Sequence, residues 1–244
     1  MNEAGPRPGG HGPAPFQAVL FDAAGTLFRA RPPVPELLSG LVAEAGHPVG
    51  VQRVAAAVSQ VESAHGVPDD APDPESRHAY WTGHVTRILG AARVPADPGT
   101  LESVARAAAS AITDPAAYEL VPGVPSLLDA VEKAGLPMGI VSNFDDLLFG
   151  ILDGTGLSER FDVVVTSYRF GVYKPDPAIF REGARLIGAD PLSTWFLGDS
   201  PYSDMQGAQR AGMTGVLYDP GGTKTGYEGR RVTCMPEFKR LIGV

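Results

Sequence analysis

Ala18-Val19-Leu20-Phe21-Asp22-Ala23-Ala24-Gly25-Thr26-Leu27-Phe28 joins a short apolar run to one carboxylate and then, at once, to a turn of small residues. An uninterrupted apolar run bounded by a turn is the pattern of a buried strand. In an open parallel α/β sheet, ligands bind in the crevice beyond the carboxyl ends of the strands. Asp22 is therefore placed at a strand end where chemistry is done. The plainer alternative, an Asp that only organises the following turn, is open to the same residues.

The bulk properties narrow the classes of function. The 244 residues suffice for one large domain, or for a core with an insert, around a substantial apolar interior. With 43% hydrophobic and 20% charged residues the composition is that of a globular protein, and no apolar stretch approaches the ~20 residues that span a bilayer. Residues Met1 to Pro15, rich in Gly and Pro, read as a disordered leader without the apolar segment of a secretory signal. The single cysteine, Cys234, excludes an intrachain disulfide, and together these features suggest the cytoplasm. A net charge of -8 argues against a nucleic-acid or membrane surface. An anionic substrate would need local positive charge from a metal ion or a placed lysine.

Beyond Phe28 the periodicity turns helical. Four apolar stripes, Leu37 to Ala45, Val51 to Val61, Tyr80 to Leu89 and Leu101 to Ile112, each fit one helix face. Gly66 to Ser76 reads as a loop between the second and third. Residues 30–116 are thus expected to form an all-helical unit inserted into the chain, with 16–29 and 117–244 forming the remainder. From Val121 helices and strands alternate. Expected strands are Met138 to Val141, Val163 to Thr166, Trp195 to Leu197 and Gly215 to Tyr218, and the tail from Val232 supplies an edge strand and a short helix. Such alternation predicts a mostly parallel sheet covered on both faces.

Strand ends and adjoining loops of that sheet carry the residue types that handle phosphate: Asp22, Ser142-Asn143, Lys174, and Gly198-Asp199-Ser200 with Asp204. A carboxylate attacking a phosphate meets repulsion between two anions. A site of this kind therefore needs magnesium held by oxygen ligands, here Asp22 and Asp199, and a lysine, here Lys174. Ser142 and the Asn143 amide or backbone can donate to phosphoryl oxygens. Each piece has a plain reading when taken alone: a helix cap, a loop charge before Pro175, a turn aspartate. Their joint occurrence at successive strand ends does not.

These motifs resemble the haloacid dehalogenase-like (HAD) hydrolase superfamily over nearly the whole chain. Asp22-Ala23-Ala24-Gly25-Thr26 is similar to the family's first motif, Asp-x-Asp-Gly-Thr. Ser142, Lys174 and Gly198-Asp199-Ser200-Pro201-Tyr202-Ser203-Asp204 match its later motifs in order. The resemblance implies a Rossmann-like core with a helical cap, bound magnesium, and an aspartyl-enzyme intermediate at Asp22. It also implies that Ala24 offers its backbone carbonyl to the metal, that Asp204 orients the metal site, and that Thr26 ties the loop. One position departs. Family phosphatases carry their general acid and base where this chain has Ala24. Proton transfer typically contributes ~10²- to 10⁴-fold, so esters with good leaving groups should suffer least.

Four readings follow from the departure. One is a phosphatase of a small phosphorylated metabolite that takes its acid from Asp145, His78, Tyr80 or His84, although core packing, surface placement and helix capping are the ordinary roles of those residues. A phosphonatase, which also carries Ala there, needs a cap lysine, and none lies between Phe28 and Tyr118. A haloacid dehalogenase dispenses with the metal that Asp199 is placed to bind. The remaining reading is a silent or slow member that binds a phosphorylated ligand or a protein. Arg29, Arg31, Arg77 and Arg87 are expected to be solvated charges or contacts to an anionic group.

Overall fold

The structure is a computed structural model in which residues 16–65 and 74–244 are described. The expected leader and most of the expected loop at 66–76 lie outside the described residues. The last three residues of that loop, Pro74 to Ser76, belong instead to a helix, as Pro at a first helical position permits.

The central strand is β1 (Ala18–Phe21), flanked by β4 (Met138–Ser142) and β6 (Thr194–Gly198), with β5 (Val163–Thr166), β7 (Thr214–Tyr218) and β8 (Arg231–Val232) outside them. The order is β5-β4-β1-β6-β7-β8 and every pairing is parallel. Alternate side chains of a strand face opposite sides of its sheet, and here both sides are packed. Val19 and Phe21 join one core cluster with Leu197, Val216 and Phe238, whereas Leu20 joins another with Val141, Phe180, Phe196 and Leu217. The first cluster lies under α5 (Val124–Lys133), α6 (Leu147–Gly154) and α10 (Met235–Ile242), and the second under α8 (Pro177–Leu186) and α9 (Gly207–Ala211). This is why the strands read as apolar runs instead of alternating.

Sequence reasoning missed a second, two-stranded sheet. β2 (Phe28–Ala30) pairs antiparallel with β3 (Tyr118–Leu120), so Ala30 and Tyr118 face each other where the chain leaves and re-enters the main body. Between them lie α1 (Val34–Glu44), α2 (Val51–His65), α3 (Pro74–Ala91) and α4 (Pro98–Ile112). These four helices bury a cluster of their own, including Leu38, Val54, Val85, Leu89 and Ala105. A short helix α7 (Ser167–Phe170), capped by the Thr166 side chain, was also unexpected. No helix among the described residues is long and apolar enough to cross a membrane.

Candidate active site

Because β4, β1 and β6 are adjacent and parallel, with Phe21 opposite both Ile140 and Leu197, their carboxyl ends bring Asp22, Ser142 and Gly198-Asp199 together. From β1 the sheet grows toward β4 and β5 on one side and toward β6 and β7 on the other. That reversal opens the crevice in which such sheets bind ligands.

Lys174 is the keystone. Its Nζ donates to Asp22 Oδ1 and to Asp204 Oδ1, each at 2.6 Å, and its side chain is only 2% exposed. Burial works to lower the pKa of the ammonium, but the carboxylates of Asp204 and Asp22 outweigh it and hold the group above its usual range. Ser142 Oγ donates to the same Asp22 Oδ1 at 3.0 Å, while Thr26 Oγ1 makes a long 3.5 Å contact with Oδ2. The Asn143 side chain is fully engaged with the Lys174 backbone: Lys174 N–H donates to Oδ1 and Nδ2 donates to the Lys174 carbonyl. The Asn143 amide thus positions the lysine backbone.

Asp204 accepts from the Ser200 N–H through Oδ2, which folds the turn after β6 back over the strand end. Gly198 is required there, since a Cβ would lie 2.5 Å from the Asp204 carboxyl. Gly25 has φ +84° and a Cβ would meet the Asp199 carboxyl at 2.9 Å, so this turn residue also lets two loops touch. Burial first, then the neighbouring charges of Asp204 and Asp22, push the Asp199 carboxyl up to about 7. Asp204 is likewise raised, by burial, although Lys174 opposes the shift.

Oxygens of Asp22, Asp199 and Asp204 lie within 4.8 Å of one another. An all-carboxylate donor set of this size suits a hard divalent cation such as magnesium. Three carboxylates here face the one buried ammonium of Lys174, an excess of negative charge that a cation would neutralise. Sequence spacing gave no hint of Lys224. The loop after β7 is tied by Asp219, which accepts from the N–H groups of Thr223 and Lys224, and this brings Lys224 Nζ to 3.8 Å from Asp199.

Ala24 is exposed at the mouth of a cavity of about 320 Å³ between the sheet edge and α1 to α4. Of the four substitutes considered for the missing acid, only His84 lines that cavity. Asp145 is committed twice: its Oδ1 accepts from the Leu147 N–H at the start of α6 and its Oδ2 is paired with Arg77 Nε of α3 at 2.6 Å. Arg77 is therefore a buried partner and not a solvated charge, joining the helical insert to the sheet. Its value was invisible because the two residues lie 68 positions apart. His78 pairs with Ser110 within the insert, and Tyr80 stacks on His84. Arg29 and Arg31 both pair with Glu119 across the β2–β3 ribbon.

The fold and these juxtaposed motifs define a HAD-type α/β hydrolase, and a family model described as haloacid dehalogenase-like hydrolase matches residues 16–212. The chain belongs to that family. It is 33% identical over 205 residues to haloacid dehalogenase-like hydrolase domain-containing protein 3 of Mus musculus, spanning 83% of this chain and 81% of that one. It is 29% identical over 205 residues to N-acetylmuramic acid 6-phosphate phosphatase of Pseudomonas aeruginosa, spanning 81% and 79%. Among solved structures, a HAD phosphatase from Thermococcus onnurineus superposes with a TM-score of 0.61 at 23% identity, over 93% of this chain and 98% of that one.

Proposed function

We propose that the chain is a magnesium-dependent phosphohydrolase of a small phosphorylated metabolite, working through an aspartyl-phosphate at Asp22. The observation that carries this reading is the buried cation bridge: Lys174 holds Asp22 by one oxygen while Ser142 donates to the same atom. A carboxylate serving only as a turn residue needs no such clamp.

In the proposed reaction an Asp22 oxygen attacks phosphorus, and the bond from phosphorus to the leaving oxygen breaks. Water then cleaves the aspartyl-phosphate, releasing inorganic phosphate and restoring the carboxylate. Ser142, the Asn143 N–H and Lys174 hold the phosphoryl oxygens as charge redistributes among them. Asp22, Asp199 and the Ala24 carbonyl would hold magnesium, with Asp204 orienting the set. Magnesium, when bound, supplies charge neutralisation and polarises the phosphoryl group. Residues 30–116 act as the cap that selects the substrate, over a core of 16–29 and 117–244.

Ala24 has no proton to give, so substrates whose leaving group departs without one are favoured. The test is release of inorganic phosphate from a panel spanning alkyl, aryl and acyl phosphates. The natural chain should turn over compounds with acidic leaving groups, and Asp22→Asn should turn over none. Failure of the natural chain on every compound would favour a protein that binds a phosphorylated ligand without chemistry.

A further inference from the structure

The cavity beside Ala24 is built from side chains that have little use for a sugar or an amino acid. Val34 of α1, Val58 of α2, Trp81 and Ile88 of α3, Ile112 of α4 and Phe144 of the loop after β4 supply its walls. Among the described residues its lining holds no lysine and no carboxylate. Its tyrosine and its arginine are committed elsewhere. The Tyr118 hydroxyl donates to the Ile112 carbonyl and Arg29 is paired with Glu119, while the His84 ring packs against both Tyr80 and Trp81. The volume, about 320 Å³, is roughly twice the ~150 Å³ in which an apolar protein cavity holds benzene.

From this lining we infer that the organic part of the substrate is an apolar, ring-bearing group seated against Trp81, Val58 and Ile88, and that it leaves as a stable anion. The inference rests on the phosphohydrolase reading and narrows it. Two independent features agree. The walls reward burial of an uncharged ring, and Ala24 at the mouth cannot protonate an alkoxide. An aryl or aroyl phosphate meets both demands. Asp22 forms its bond to phosphorus, the bond from phosphorus to the leaving oxygen breaks, and the phenolate or carboxylate departs with the electron pair without needing a proton in that step.

Leaving-group acidity must be separated from ring recognition, and a matched pair of acyl phosphates does so. Acetate and benzoate both leave as carboxylates with ordinary acidities near pKa ~4. Benzoyl phosphate should exceed acetyl phosphate in kcat/KM by at least about tenfold, the scale expected for burying one ring. Val58→Asn and Ile88→Asn should bring that ratio toward one, with circular dichroism confirming that the variants fold. A binding readout accompanies it. In the presence of magnesium, phenylphosphonate should bind more tightly than methylphosphonate and change the fluorescence of Trp81, a change lost in Trp81→Phe. The other tryptophan, Trp195, packs on Phe16 and Phe238 in the sheet core. Equal kcat/KM for the two acyl phosphates, with no preference between the phosphonates, would overturn the inference while leaving the phosphohydrolase reading intact. Absence of turnover and of any adduct at Asp22 would overturn the phosphohydrolase reading, and the phosphonate preference would still decide the chemistry of the cavity.

Discussion

Replacing Lys174 by methionine removes a charge from the most enclosed part of the site while keeping the length of the side chain. The ammonium is 2.6 Å from both Asp22 and Asp204, whose side chains are 8% and 1% exposed. Breaking a buried pair leaves an uncompensated charge at a cost of about 3–5 kcal/mol. For a chain of this length that corresponds to a fall in Tm of about 6–20 °C. The sign of the pH dependence follows from the carboxylates left behind. Lys174 is held above its ordinary value, so its contribution is complete at neutral pH and is lost only at high alkaline pH. Asp204 and Asp199 are raised above their ordinary carboxylate range, and Lys174 is one of the charges opposing both shifts. Without Lys174 they bind protons more readily, so the deficit of Lys174→Met should shrink as pH falls from about 7 toward about 4. Urea unfolding of both proteins with a chelator present, at pH 7.5 and pH 5, measures this. A deficit under about 1 kcal/mol that is the same at both pH values would refute the argument that the pair is buried and mutually dependent.

Three further perturbations address separate parts of the account. Ala24→Asp, for which the adjoining cavity has room, should raise kcat on alkyl phosphates by ~10²- to 10⁴-fold while changing acyl phosphates by less than about tenfold, as a phosphate-release assay would read. Arg77→Met should cost about 3 kcal/mol in urea unfolding, because Asp145 then remains buried with, among the described residues, only the Leu147 N–H bonded to its carboxylate. Magnesium should raise Tm more at pH 8 than at pH 6. Its affinity should fall about tenfold per unit below pH ~7, where the raised Asp199 carboxyl must give up a proton to bind it.

Most of the sheet was legible because its inner strands are short, apolar on both faces and separated by helical periodicity, and the positions of Asp22, Ser142 and Asp199 at strand ends follow from those strands. What escaped was set by contacts between distant segments. The β2–β3 ribbon has three residues per strand, too few for a period to show. The engagement of the Asn143 amide with the Lys174 backbone spans 31 positions, and the Arg77–Asp145 pair joins two parts of the chain whose local patterns are independent. Asp145 illustrates the limit. The sequence marks it as a helix cap; the cap position is Asp146, Asp145 accepts from the Leu147 N–H beside it, and only the fold reveals the Arg77 pairing that engages its other oxygen.

The central claim is that Asp22 becomes phosphorylated, and it can be tested on the residue itself. The natural chain, mixed with magnesium and an acyl phosphate labelled in its phosphoryl group, should be quenched in acid during turnover and digested. Label that is released by hydroxylamine and maps to the peptide bearing Asp22 is the predicted result. Release of phosphate with no label on that peptide, or with label on a different residue, would contradict it.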